Sequence, residues 1–258
     1  MKLVVHPDYQ HLTRFVSELP QTFEKEGVSI YKVRNELKVF DLDGLKVNVK
    51  AYRVPSLFNR FIYTYIRPTK ASRAYENALR LIEGGFDTPA PIAYLECFSG
   101  GLIHKTYFVS LQCPYPRVFK EFADSSDVGD RKAVVEALGR YVGRLHEAGI
   151  LHKDLSIGNI LFEEDEKGVH FSLVDLNRMA FRAIDMRDGC SNFQRLRGNE
   201  AFFKLLASSY AAARGFSEQE CLAIIQRKQQ HSVRYFSRKS TVKRKRRAFR
   251  QFWTGRKQ

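Results

Sequence analysis

A histidine, an aspartate and an asparagine share the run His152-Lys153-Asp154-Leu155-Ser156-Ile157-Gly158-Asn159, which reads H-x-D-x-x-x-x-N. It leads into an apolar segment, Ile160-Leu161-Phe162. After a charged turn comes a second one, Phe171-Ser172-Leu173-Val174, which ends in Asp175. An acid able to take up a proton, followed by an amide and a second acid at two strand ends, suits phosphoryl transfer. That spacing alone arises by accident in roughly one chain in a hundred of this length, so the other parts must be present and in order.

Two further signals precede it. Lys50 ends a run Val47-Asn48-Val49-Lys50, the placement of a V-A-I-K lysine that holds nucleotide phosphates. Glu76 lies in the next helical segment, where an acid can pair with that lysine. In this layout Asp154 is the base near an acceptor hydroxyl. Asn159 and Asp175 are oxygen ligands for Mg²⁺, and His152 shapes the loop.

The elements that must position these residues follow from periodicity. Val28–Val33, Glu36–Phe40 and Leu45–Tyr52 read as three strands, with a turn at Leu42-Asp43-Gly44. Alternation puts Leu45, Val47, Val49 and Ala51 on one face and Lys50 on the other. Ahead of them, Leu12, Phe15, Val16 and Leu19 mark an amphipathic helix that Pro20 is expected to end. In residues 53–70, Leu57, Phe58, Phe61, Ile62 and Tyr65 share a helical face, with Arg60, Arg67 and Lys70 interleaved. That helix either packs on the sheet or touches lipid at an interface.

Ser72 is the expected cap of the next helix, whose buried stripe is Tyr75, Ala78, Leu79 and Ile82 and whose stop is Gly84-Gly85. Strands follow at Ile92–Glu96 and Leu102–Gln112, and Cys113-Pro114-Tyr115-Pro116 reads as a linker. The rest reads as mostly helical. One helix follows Asp130 and carries Val134, Val135, Leu138, Val142 and Leu145. Another spans about 190–213, and a third is capped by Ser217.

Composition narrows the setting. At 258 residues and 44% hydrophobic content the chain can bury a core. No secretory signal and no apolar run of about 18 residues is legible, and the four cysteines are widely spaced. A cytoplasmic protein with reduced thiols is expected. The net charge of +15 is concentrated at one end, since residues 227–258 hold 13 Lys and Arg and no Asp or Glu. Phe249, Phe252 and Trp253 follow the basic run, which suits an anionic membrane surface; nucleic acid is the less favoured partner.

Taken together, the chain resembles the protein-kinase-like fold and, within it, the bacterial lipopolysaccharide core kinases (Kdo/WaaP type, with InaA-like relatives). The specific match is Ser72-Arg73-Ala74-Tyr75-Glu76 through Gly85-Phe86-Asp87-Thr88-Pro89-Ala90-Pro91, similar to that family's S-x-A-x-x-E helix and G-x-x-T-P-x-P. The resemblance implies an α+β, two-lobed fold. Residues 1–27 would be a helical lead-in, 28–113 a nucleotide-binding lobe, 114–237 a catalytic lobe and 238–258 a basic aromatic tail. It also implies ATP and Mg²⁺ as cofactors and a lipid-linked sugar, Kdo or heptose of the lipopolysaccharide inner core, as acceptor. The enzyme would be a monomer on the inner face of the inner membrane. A small-molecule kinase of the aminoglycoside/choline type and a catalytically silent membrane-binding module are the competing readings.

Departures from the pattern sharpen the expectations. No G-x-G-x-x-G loop is present, so phosphate cover falls to Arg34 and Asn35 in the first turn. Gln112 and Cys113, at the mouth of the linker, complete the cofactor-binding set. The usual D-F-G is Asp175-Leu176-Asn177, and Asn177 is expected to take the left-handed backbone. Ser156 stands where protein kinases carry a lysine, with Lys153 as its candidate substitute. The absence of an A-P-E signature, with no long activation segment after Asp175, argues against a protein acceptor.

Overall fold

The computed structural model describes residues 1–122 and 131–231. Asp130 and the basic tail, 238–258, therefore lie outside the described residues. Packing divides the chain into two compact units. Met1–Lys120, His152–Asp154 and Gly158–Arg182 form the first, and the remaining described residues form the second.

The first unit is built on a six-stranded antiparallel sheet in the order β1-β5-β6-β4-β3-β2. Its strands are β1 (Lys2–Val5), β2 (Val28–Lys32), β3 (Glu36–Leu42), β4 (Leu45–Tyr52), β5 (Pro91–Ser99) and β6 (Leu102–Leu111). Strand β1 is an addition: ahead of the helical segment, Leu3, Val4 and Val5 pair with the edge of β5. The alternation of β4 does what its pattern requires. Val47, Val49 and Ala51 enter one core with Phe40, Leu95, Tyr107 and Val109, while Lys50 and Tyr52 face the other side.

Helix α1 (Thr13–Thr22) covers the first of those faces through Leu12, Val16, Leu19 and Phe23. It does not stop at Pro20. The missing N–H removes one bond near the end of the helix, and Leu19 and Phe23, both essentially inaccessible, hold the last turn on the sheet. Lys38 fastens that end. It is buried, and its Nζ donates to the carbonyls of Phe23 (2.6 Å), Glu24 (3.3 Å) and Glu26 (3.0 Å).

Helix α2 (Leu57–Tyr65) packs against β6, as one of the two expectations had it, but buries none of its residues fully. Helix α3 (Lys70–Glu83) covers the second face of the sheet, where Ala71 and Tyr75 pack with Tyr52 and Tyr94. Its cap is Thr69, not Ser72: the Thr69 hydroxyl accepts the Ser72 N–H at 3.1 Å. Its stripe runs through Ala71, Ala74, Tyr75, Ala78 and Leu81, so Ile82 lies largely exposed. The unit closes with a smaller sheet, β10-β9-β7, of β7 (Arg117–Val118), β9 (Ile160–Asp165) and β10 (Gly168–Leu173).

The second unit is helical. It contains α4 (Lys132–Glu147), α5 (Met186–Asn192), α6 (Glu200–Arg214) and a helix over 218–231. The single helix expected over 190–213 is two, because Asn199 starts α6 afresh by accepting the Phe202 N–H at 2.9 Å. Gly139 and Gly143 let α4 and α6 approach closely. A Cβ at Gly139 would lie 2.9 Å from the Leu206 carbonyl, and one at Gly143 would lie 2.6 Å from the Ala213 Cβ. Strand β8 (Ile150–His152) delivers the chain from α4 to the His152–Asn159 loop, and β11 (Met179–Phe181) follows the Asp175 turn.

Candidate functional site

The loop after β8 is braced by its histidine. His152 is buried, its Nε2 donates to the Val174 carbonyl at 3.1 Å, and its Nδ1 accepts the Asp154 N–H at 3.1 Å. A carbonyl can only accept and an N–H can only donate, so these two bonds fix a neutral tautomer. Burial pushes the imidazole pKa down, with the Val174 bond opposing it more weakly. This ring ties the loop to the strand end that carries Asp175.

Asn159 makes the second tie. Its Nδ2 donates to the Asp154 carbonyl at 2.9 Å, and its own carbonyl accepts the Val174 N–H at 3.0 Å. That last bond extends the β9–β10 ladder by one step beyond the Ile160–Leu173 pair. Asn159 and Asp175 thus sit at the same end of one hairpin. With its amide nitrogen committed to Asp154, Asn159 has its oxygen to offer.

Asp175 holds a left-handed backbone, φ 61° and ψ 48°, which costs a non-glycine residue energy and signals a constraint. The left-handed position expected at Asn177 is therefore at Asp175. Asn177 is instead buried in a 3₁₀ turn, Leu176–Arg178, and donates to Asp175 Oδ1 at 2.5 Å. Lys50 Nζ meets the same oxygen at 2.6 Å. Burial pushes the Asp175 carboxyl upward, but the Lys50 charge, its hydrogen bond, and smaller contributions from His152 and Asn177 prevail and leave its pKa lowered.

Glu76 does not reach Lys50. It is exposed on α3, because the residues that α3 buries are those of the Ala71–Ala74–Ala78 side. The residue of α3 that meets the site is its neighbour: Asn77 Nδ2 donates to the Leu176 carbonyl at 2.6 Å. Thr88, from the T-P-x-P segment, donates its hydroxyl to the Leu173 carbonyl at 2.7 Å, and the Leu173 N–H donates to the Asp87 carbonyl at 3.1 Å. The approach to Asp175 is thus held from both sides by residues whose role no spacing rule revealed. The motif match drew attention to Thr88; nothing in the sequence singled out Asn77.

The remaining candidates are more dispersed. Asp154 is about one-fifth exposed, and Arg178 Nη1 lies 3.5 Å from its Oδ2. Lys153 is exposed, and its N–H donates to the Arg178 carbonyl at 2.9 Å. Arg34 is exposed in the β2–β3 turn, and Asn35 Oδ1 accepts the Arg53 N–H at 3.3 Å. Gln112 accepts from Asn48 Nδ2 at 2.8 Å, beside Lys50 on β4. Cys113 is half-buried, and burial pushes its thiol pKa up, so it is not a reactive thiolate. Tyr52 was not foreseen. It lies two residues beyond Lys50 on the same face, with Lys50 Nζ 5.4 Å from its ring centre.

The donor set suits Mg²⁺. Asp175 and Asn159 offer hard oxygens, and both donors to Asp175 fall on Oδ1. Among the described residues no cluster of three or more His, Cys, Asp or Glu forms a metal cage. A bound Mg²⁺ would complete its shell with phosphate oxygens and water, as this ion does at nucleotide sites.

Comparison with known proteins bears on this arrangement. The sequence profile of the lipopolysaccharide kinase (Kdo/WaaP) family matches residues 45–227. A 3-deoxy-D-manno-octulosonic acid kinase of Vibrio parahaemolyticus is 24% identical over 131 residues, which cover 49% of this chain and 54% of that protein. One of Xanthomonas euvesicatoria pv. vesicatoria is 29% identical over 140 residues, covering 54% and 53% respectively. Each match thus spans about half the relative's length. Among solved structures, WaaP in complex with acyl carrier protein aligns with a TM-score of 0.62 and 21% identity, covering 90% of this chain and 99% of that one. At that identity the likeness establishes the α+β, protein-kinase-like fold.

Proposed function

Because the chain belongs to the lipopolysaccharide kinase (Kdo/WaaP) family, we propose that it transfers the γ-phosphate of ATP to a hydroxyl of a lipid-linked sugar. The acceptor is Kdo or heptose of the lipopolysaccharide inner core, reached at the inner face of the inner membrane. The observation that carries this reading is the Lys50–Asp175 ion pair at 2.6 Å. It brings the phosphate-holding cation of β4 into contact with the acid that follows β10, at the hairpin end where Asn159 is tied to Asp154.

In this mechanism Lys50 binds the nucleotide phosphates, and Asp175 with Asn159 would hold Mg²⁺, which would supply charge neutralisation at the phosphate oxygens. Asp154 accepts the proton of the sugar hydroxyl as its oxygen bonds to the γ-phosphorus. The bond from that phosphorus to the β-phosphate bridging oxygen breaks, and ADP leaves. His152 keeps the Asp154 backbone in place through the N–H bond at Nδ1. Arg34, Asn35, Gln112 and Cys113 flank the nucleotide, and Lys153, beside the base, reaches the γ-phosphate.

The test is transfer from radiolabelled ATP to a membrane glycolipid extract, comparing wild type with Asp154→Ala. The reading requires labelled glycolipid with wild type and a loss of about 10²-fold or more in the variant. Equal labelling by both proteins would remove Asp154 from the chemistry. Labelling of soluble sugars without glycolipid would move the acceptor to the small-molecule class.

A further inference from the structure

We propose that helix α2 is a docking surface for an anionic lipid bilayer and that it lies in the headgroup region with its apolar stripe in the acyl boundary. Its orientation is the reverse of what a soluble fold asks of an amphipathic helix. The side chains that fasten it to the sheet are polar. Arg60 donates from Nε to the Ile103 carbonyl at 2.7 Å and from Nη2 to the Ser99 carbonyl at 2.7 Å, and Thr64 accepts the Ile103 N–H at 2.8 Å. The side chains that face outward are large and apolar: Leu57 is 72% exposed, Phe58 74%, Tyr65 65% and Ile66 70%, with Phe61 half-exposed between them. The Phe61 and Tyr65 rings lie against each other at a tilt of 55°, centres 5.0 Å apart. A single exposed leucine is ordinary, but a contiguous aromatic stripe on one helix marks a binding surface.

Charge selects the occupant. From Gly44 to Tyr75 the chain has no Asp or Glu and seven Lys and Arg. Arg53, Arg67 and Lys70 are exposed at the two ends of the stripe. Burial lowers the pKa of Arg73, and repulsion from Arg67 on one side and Arg178 on the other adds to this. The positive surface is thus not neutralised by the protein. A second copy of the chain would bring cations against cations. An anionic bilayer takes both the apolar stripe and its basic rim, each basic residue near the surface adding roughly 1 kcal/mol. The docking inference does not depend on phosphoryl transfer, and its test reads no turnover.

The experiment uses the full chain with phosphatidylglycerol-containing and pure phosphatidylcholine vesicles. The single tryptophan, Trp253, is first removed as Trp253→Phe, and Phe58→Trp then places an indole on α2. Binding to the anionic vesicles is expected to shift its emission to the blue, and brominated acyl chains are expected to quench it. An unchanged spectrum while the protein still floats with the vesicles would assign docking to the basic tail and overturn the inference. In parallel, the combined Leu57→Ser, Phe58→Ser and Phe61→Ser variant should partition about tenfold or more weakly, with the far-ultraviolet spectrum unchanged. Equal partitioning would also overturn the inference. So would a lipid-free, concentration-dependent dimer that this variant abolishes, because the stripe would then be a subunit interface.

Discussion

Removing Lys50 should expose how the site stabilises its own charges. At 2.6 Å and an effective dielectric of about 20, the Lys50–Asp175 attraction is about 6 kcal/mol before desolvation. Both groups are largely withdrawn from water, so most of that is offset, and about 2 kcal/mol of net coupling should remain. Lys50→Met alone should cost about 2–4 kcal/mol, because Asp175 keeps Asn177 as its remaining donor on Oδ1 and its left-handed backbone constrains where the carboxylate can turn. Asp175→Asn suits that backbone, since Asn tolerates left-handed geometry. The double variant should be less destabilised than the sum of the single ones.

The pH dependence gives an internal check. The native Asp175 pKa is lowered, so its contribution is present above the ordinary carboxylate range and is lost as pH falls through the native value. Without Lys50, burial is uncompensated, the carboxyl pKa rises, and protonation relieves the penalty. The deficit of Lys50→Met should therefore shrink as pH falls from 7 toward 5. Urea denaturation of the four proteins, followed by circular dichroism, measures this cycle. A coupling below about 0.5 kcal/mol at pH 7, or a deficit independent of pH, would refute the reasoning.

Three further outcomes are expected. Lys38→Met removes a buried ammonium from three carbonyls and should lower stability by about 2 kcal/mol in the same denaturation assay. Thr88→Val deletes the hydroxyl bond to the Leu173 carbonyl; it should cost about 1 kcal/mol and reduce turnover on glycolipid, and full turnover at reduced stability would limit Thr88 to a structural role. His146 is buried between Tyr210 and Asn192, and burial holds its pKa at about 4, below the ordinary histidine value. The unfolded chain binds the proton first, so stability should fall as pH drops from about 6.5 to 4, by up to about 3 kcal/mol from this residue. Titration of the His146 ring by nuclear magnetic resonance checks it, and a midpoint near 6.5 would contradict the burial argument.

Much of this was legible in the chain because it depends on neighbours in sequence. The H-x-D-x-x-x-x-N run, the apolar alternation that puts Lys50 opposite Val47 and Val49, and the glycines that end α3 express local stereochemistry and strand periodicity. The same rules drew the β2–β3–β4 meander almost to the residue. They misplaced the cap of α3, because Thr69 and Ser72 are both competent cap residues and the choice between them belongs to the packing of the helix on the sheet. They ended α1 at Pro20, because the burial of Leu19 and Phe23 that outweighs one lost hydrogen bond is long-range.

What tertiary structure alone decided is the partner of each charge and the direction of each face. Sequence order offered Lys50 an acid in the next helix; the fold turned Glu76 to solvent and gave Lys50 to Asp175, 125 positions away. Periodicity showed that α2 has an apolar stripe but could not say whether it faced protein, since the answer lies with the carbonyls of Ser99 and Ile103 that bind Arg60. A pattern along a helix specifies which residues share a face. Which way that face points is set by the surface it meets, and that surface is assembled from distant parts of the chain.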